Sequence, residues 1–283
     1  MATSGTAPAP TPSASPGPAQ VPGCKLAALP LRIPATKRVV AIGDLHGDLA
    51  AMRGAFRAAG AIDDRDRWIA RDLTIVQTGD VLDRGDDERA MLELLATWEQ
   101  QAPESGSRLV LLSGNHELMN AAGDFRYVTR GQDFGADRAG TLAPGGAYAK
   151  KLAAHDVIAI VGDTVYSHAG VLPAWATKLD DANLAVRCWL DGSGPLEALQ
   201  ADDSPVWTRA YGIDLPDCEA ATAALAALGA KRMVVAHTVQ PQGINAACGG
   251  VLWRIDVGMT KVFGGPIQVL EVSDAPRVIT GSR

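Results

Sequence analysis

Three times between residues 37 and 117, a short apolar run breaks into a turn of charged and polar residues and hands over to a helical pattern. Lys37 to Ile42 reads as a buried strand ending in Gly43-Asp44-Leu45-His46-Gly47-Asp48. A helix over Leu49 to Ala59 follows, with Met52 and Phe56 on one face. Leu73 to Gln77 leads into Gly79-Asp80-Val81-Leu82-Asp83-Arg84-Gly85. Asp86 to Glu99 then reads as a helix, acidic in its first turn, with Met91, Leu92, Leu95 and Trp98 as its apolar stripe. Arg108 to Leu112 ends in Ser113-Gly114-Asn115-His116-Glu117. This alternation predicts a right-handed, largely parallel sheet with its three loops on one edge, where α/β sheets bind ligands.

The rest of the chain changes character. Residues 121 to 146 are rich in glycine and charge with weak periodicity, which suggests a flap beside a site. Ala147 to His155 reads as a helix, and Val157 to Val161 with Thr164 to Tyr166 as a hairpin around Gly162-Asp163. The hairpin delivers Ser167-His168-Ala169-Gly170. Helices are predicted over Asp181 to Leu190 and Glu219 to Leu228. A strand over Arg232 to Ala236 ends at His237-Thr238, and Gly250 to Val257 and Pro266 to Val272 read as closing strands. Late strands after strand–helix alternation predict an α/β architecture of two sheets packed face to face with helices outside.

Residues 1–30 read as a disordered Pro/Ala-rich tether, and 31–283 as a single domain. Apolar residues make up 47% and charged residues 20% of the 283, enough for a full core. A net charge of −6 supplies no basic field for nucleic acid. No apolar run approaches the ~18 residues of a membrane span. The tether lacks the basic start and apolar heart of a signal peptide, so the reading is a soluble protein, cytoplasmic or exported after its signal is removed. Cys24, Cys188, Cys218 and Cys248 are too widely spaced for a zinc knuckle. They suit one or two disulfides in an oxidising compartment, or free thiols in the cytosol.

The chemistry lies at the strand ends. Of the five histidines, His46, His116, His168 and His237 fall there together with Asp44, Asp80 and Asn115. Buried unpaired charge is expensive, so such a cluster calls for cations. Imidazole mixed with carboxylate suits Mn, Fe or Zn better than Mg or Ca, with Mn favoured. Asp44, His46 and Asp80 are assigned to one ion, and Asp80, Asn115, His168 and His237 to a second, with Asp80 as the shared carboxylate. Water between two such ions loses a proton near neutral pH and can attack phosphorus. His116 is the candidate general acid, held by Asp83; its alternative role is a further metal ligand. Arg84 is the candidate phosphate clamp, or else pairs with Asp86 or Asp87. Arg209 is a second candidate phosphate arginine, with an ordinary surface role as the alternative. Phe125, Tyr127 and Phe134 either stack a substrate ring or lie buried under the flap.

At these residues the chain resembles the phosphoprotein phosphatase family of binuclear metallophosphatases. The pattern appears here as GDLHGD, GDVLDRGD, GNHE, SHAG and AHT, in order. GDVLDRGDDE, YSHAGV and LWRIDVGM resemble the Shewanella-like branch most. The resemblance implies a calcineurin-like mixed β-sandwich flanked by helices. It implies two transition-metal ions on the ligands named above and His116 with Asp83 as the acid; Arg84, Arg209 and Asn115 remain the residues assigned around the phosphate, and the surroundings of Arg209 do not align simply with the eukaryotic pattern. It also implies phosphomonoester hydrolysis on phosphoprotein or phosphopeptide substrates, with phosphotyrosine and phosphoserine/threonine both open. Ser113 stands where eukaryotic members often carry arginine, and SHAG replaces their HGG. The alternative enzyme is a dinucleoside tetraphosphate or other nucleotide hydrolase. A catalytically dead binding module is the alternative of another class, and intact ligands with Arg84 argue against it.

Overall fold

The structure, a computed structural model, describes residues 21–129, 134–195 and 197–283. The chain begins β1 (Arg32–Ile33), β2 (Arg38–Ile42), α1 (Leu49–Ala58), β3 (Leu73–Gln77), α2 (Glu88–Gln101), β4 (Arg108–Leu111) and α3 (Asn115–Ala121). It continues α4 (Arg138–Leu142), α5 (Ala147–Leu152), β5 (Ile158–Val161), β6 (Thr164–Ser167), α6 (Leu179–Leu190) and α7 (Cys218–Leu228). It closes with β7 (Arg232–Val235), β8 (Asn245–Ala247), β9 (Leu252–Arg254), β10 (Gln268–Val272) and β11 (Arg277–Thr280).

Two mixed sheets form, ordered β11-β10-β2-β3-β4 and β1-β5-β6-β7-β9-β8. In the first, β2, β3 and β4 are parallel, with Val40 opposite Ile75 and Ile75 opposite Leu109. In the second, β5 and β6 make the expected antiparallel hairpin, and β6, β7 and β9 are parallel. Strand side chains alternate in direction, so each inner strand feeds two interfaces. Val39, Ala41, Val76 and Leu270 meet Ala159, Val161, Tyr166 and Val234 between the sheets. The opposite face, with Val40, Ile42 and Ile75, belongs to the larger core that includes Met52, Phe56, Met91, Leu95 and Trp98 of α1 and α2. Phe56 and Trp98 lie 4.4 Å apart, centroid to centroid. This is the mixed sandwich that the resemblance implied, and parallel strands bring their C-terminal ends to one edge.

Several boundaries differ from the sequence reading. Helix α2 starts at Glu88 rather than Asp86, because the Asp87 N–H is taken by Gly47 O (3.0 Å) while Glu88 turns its carboxylate back to the Asp83 N–H (2.6 Å). The flap region is less irregular than expected, since α4 lies within it; its residues 130–133 fall outside the described residues. The tether assigned from the sequence spans residues 1–30. Residues 1–20 fall outside the described residues, but 21–30 are held. Cys24 is disulfide-bonded to Cys188 on α6, and Ala27 O accepts from Arg187 Nη1 (2.9 Å). Cys218 and Cys248 form a second disulfide, so all four cysteines are paired.

Candidate active site

The connections after β2, β3, β4, β6, β7 and β9 converge on one cavity of about 210 Å³. Its lining includes Asp44, His46, Asp80, Arg84, Asn115 and His116. Tyr127, Arg209, His237 and Asp256 also face it. His168 sits beneath, fully buried, with Nε2 3.3 Å from Asp80 Oδ2. Every residue assigned from the sequence to metal or phosphate is therefore in or directly under one cavity.

Backbone contacts lock the first two turns together. Leu45 N and His46 N donate to Asp80 O (3.0 and 2.9 Å), and Gly47 N donates to Val81 O (2.8 Å). Tightness forces unusual backbone. His46, Asp80, Asp83, Arg84 and His237 have φ of 37°, 55°, 68°, 65° and 66°, left-handed values that cost a non-glycine residue on the order of 1–3 kcal/mol. Gly114 is required for a different reason, since a methyl there would overlap the Asp80 carboxylate and the His168 ring.

Glu117, in the first turn of α3, repays part of that strain. Its carboxylate accepts from Asp80 N (2.8 Å), Val81 N (2.8 Å), Leu82 N (3.0 Å) and Gly114 N (2.7 Å). Sequence reasoning gave it no role, although its place three residues into a helix is a known position for amide-capturing acids. Asp48 is likewise structural: Oδ1 caps α1 through Ala51 N (3.0 Å) and Oδ2 accepts from Lys261 N (2.8 Å).

The imidazoles are oriented by their outer nitrogens. His46 Nδ1 bonds Leu82 O (2.9 Å) and His168 Nδ1 bonds Thr78 O (3.0 Å). A carbonyl can only accept, so both Nδ1 atoms carry the proton and both Nε2 lone pairs face inward, the tautomer a metal ligand needs. His168 Nε2 is 2.9 Å from Asn115 Oδ1 and 3.1 Å from His237 Nδ1. His46 Nε2 lies 3.8 Å from Asp44 Oδ2 and 3.7 Å from Asp80 Oδ2. Donor atoms of Asp80, His168 and His237 lie within 4.8 Å of one another, as do those of His46, Asp80 and His116.

The electrostatics call for cations. Burial lowers His46 to about 4, and burial with the neighbouring His168 lowers His237 to about 3, so both rings are neutral near pH 7. Burial, reinforced by the Asp256 and Asp80 charges, raises Asp44 well above the carboxylate range. Burial raises Asp256 too. Asp44 Oδ1 and His237 Nε2 are buried with no hydrogen-bond partner. Neutral imidazoles, crowded carboxylates and orphaned donor atoms are what a divalent-metal site looks like without its ions' charge, so the residues fit a metal centre.

Around this core stand the remaining groups. His116 Nδ1 is 2.5 Å from Asp83 Oδ2, and its Nε2 is 3.8 Å from Asp80 Oδ2. Burial opposes its charged form, but the Asp80 charge and the Asp83 bond outweigh that and raise its pKa. Arg84 forms no ion pair with Asp86 or Asp87: its Nε is buried with no hydrogen-bond partner, and its guanidinium lies 4.6 Å from the Tyr127 ring and 5.2 Å from the Phe263 ring. Arg209 is on the exposed rim, with Nη1 3.2 Å from Thr238 Oγ1. Of the three flap aromatics, Phe134 is buried, whereas Tyr127 lines the cavity. Asp256 and Phe263 were missed. Asp256 follows the apolar run of β9, the signal that identified the other strand-end acids; Phe263 reaches the mouth only through tertiary folding.

Residues 37–241 match the family model described as calcineurin-like phosphoesterase. Shewanella-like protein phosphatase 2 of Arabidopsis thaliana is 35% identical, over 90% of this chain and 80% of its own. Shewanella-like protein phosphatase 1 of Plasmodium berghei (strain Anka) is 28% identical, over 84% and 72%. The solved cold-active protein-tyrosine phosphatase of a psychrophilic Shewanella superposes with a TM-score of 0.76 at 25% identity, covering 89% of this chain and 83% of that one.

Proposed function

The chain belongs to the calcineurin-like phosphoesterase family, and we propose that it is a metal-dependent protein phosphatase hydrolysing phosphomonoesters in this cavity. One observation carries the reading most directly: the backbone carbonyls of Leu82 and Thr78 turn the Nε2 lone pairs of His46 and His168 toward the shared Asp80 carboxylate.

In this reading Asp44, His46 and Asp80 hold one ion, and Asp80, Asn115, His168 and His237 the other. Manganese is our assignment, with iron and zinc as the metals the same donors would also accept. Such ions, when bound, act as Lewis acids on phosphoryl oxygens and bring the pKa of water toward neutrality. The chain's own residues do the rest. Arg84 presents a planar fork to the phosphoryl oxygens, its approach fixed by Tyr127 and Phe263. Asn115 and the rim Arg209 complete the phosphate's surroundings. His116 gives the leaving oxygen its proton from Nε2, while Asp83 holds Nδ1 and the plane of the ring. Tyr127 and Phe263 at the mouth favour an aromatic leaving group, and so phosphotyrosine, the substrate class in the name of the Shewanella neighbour.

Turnover of phosphotyrosine, phosphoserine and phosphothreonine peptides and of diadenosine tetraphosphate, with metal content measured on the same sample, tests the reading. Phosphopeptide hydrolysis with about two transition ions per chain is expected. Rapid cleavage of the dinucleotide with no phosphopeptide turnover would overturn it. His116→Asn should keep its metal and lose roughly 10²–10⁴ in kcat, the usual worth of a general acid. Loss of metal in that variant would make His116 a ligand instead.

A further inference from the structure

Arg138 has no part in the roles described so far, yet it is 3% exposed and makes contacts unusual for an arginine. It opens α4, inside the region expected to be a flap. Its Nε donates to Asn120 Oδ1 (2.8 Å). Its Nη2 donates to Asp83 Oδ1 (3.0 Å) and Glu88 Oε1 (2.8 Å), and Nη1 to Glu88 Oε2. Asp83 and Glu88 are both buried to within 1% of full enclosure.

We propose that Arg138 is a positioning residue for the acid: it fixes one oxygen of Asp83 so that the other is held at His116. This rests on the reading of His116 as the general acid. The geometry divides the Asp83 carboxylate cleanly. Oδ2 faces His116 Nδ1 (2.5 Å), and Oδ1 is shared between Arg138 Nη2 and Asn120 Nδ2 (both 3.0 Å). Asn120 ties the unit to the ring's own backbone, donating also to His116 O (2.9 Å). Glu88 closes it by accepting from Asp83 N (2.6 Å). Two buried carboxylates this close repel, and a guanidinium fork between them satisfies both while restricting rotation of Asp83. Phe134 and Phe125, at 5.4 and 5.9 Å from the guanidinium carbon, cover it. A lysine could reach one acid but not grip both in plane.

The readout must separate positioning from mere stability. General-acid catalysis matters most when the leaving oxygen is a poor leaving group, so loss of orientation should act selectively. Arg138→Met is expected to lower kcat roughly 10–100-fold on phenyl phosphate, a share of what a positioned acid contributes. On 2,4-dinitrophenyl phosphate the same variant should lose only a few-fold, with KM and metal content near wild type on both. Arg138→Lys, which keeps the charge, should fall between and serves as the test if the Met variant does not fold. In the His116→Asn background, Arg138→Met should cost almost nothing further, because its effect passes through the missing ring. A loss equal on both esters, or one that multiplies with His116→Asn, would overturn the proposal. If His116→Asn itself shows no leaving-group selectivity, the acid reading fails rather than the role of Arg138 alone.

Discussion

At the scale of single residues, the site divides between groups that face the cavity and groups that hold them. Asp80 does both: one carboxylate is shared among His46, His116 and His168, and its backbone is left-handed. Asp80→Asn removes the charge common to both proposed ligand sets. It should leave the purified protein with well under one equivalent of metal and nearly no activity, as read by elemental analysis beside kinetics; retention of both ions would refute the shared-carboxylate assignment. Glu117 is the holding group. Burial and the Asp80 charge push its carboxyl up, against four backbone amides that favour its ionised form. In Glu117→Gln the new NH₂ must face two of those amide donors, leaving them unsatisfied at about 1–3 kcal/mol each. The expected result is a melting temperature lower by roughly 5–15 °C together with weaker metal retention, because the turn it secures carries Asp80. The candidate ligands were legible in the sequence because charge and imidazole at the ends of apolar runs have few structural uses. Glu117 and Arg138 were not, because their partners are backbone amides and acids that only tertiary packing brings near.

At the scale of elements, the strand–turn–helix units were the most legible part, since short continuous apolar runs closed by turns fix strands β2 and β3 to within a residue, and both are buried along almost their whole length. Short edge strands β1, β8 and β11 carry few apolar residues and are defined by their neighbours, so no local pattern announced them. The join between β4 and β5 shows how pairing can override side-chain preference. Asp156 O accepts from Ser113 N (2.9 Å), which pins the backbone and carries the side chain inside. Its Oδ1 has no hydrogen-bond partner, and Arg187 Nε stays 3.8 Å away. Burial raises Asp156 to about 6 despite that arginine. Unfolded, the group titrates near 3.9. Between about pH 4 and 6 the folded chain therefore holds a proton that the unfolded chain has lost, and stability falls as pH rises through that window. Asp156→Asn should remove this dependence, stabilising the protein by about 2 kcal/mol at pH 7.5 and much less at pH 4.5. Urea unfolding at the two pH values measures it; an equal effect at both would show that Asp156 is not the titrating group.

At the scale of the whole molecule, the sandwich carries two covalent clamps, and neither lines the catalytic cavity. Cys24–Cys188 spans 164 residues and fastens the segment before β1 to α6; Cys218–Cys248 spans 30 and fastens the start of α7 to the turn before β9. Among the described residues no helix is long and apolar enough to cross a membrane. Paired cysteines persist in oxidising surroundings. They also make a quantitative claim. Cross-linking restricts the unfolded chain, by about 5 kcal/mol for a loop the length of the first and about 3.6 for the second on the chain-entropy model. Native bridges commonly deliver 2–5 kcal/mol. Reduction with a phosphine should therefore lower the melting temperature by roughly 5–20 °C while leaving kcat at 25 °C near its starting value. The order is the sharper expectation. Breaking the long loop with Cys24→Ser and Cys188→Ser should cost more than breaking the short one with Cys218→Ser and Cys248→Ser, by about 1.5 kcal/mol. A larger loss from the short loop would mean that local packing around α7, rather than chain entropy, governs what these bridges contribute.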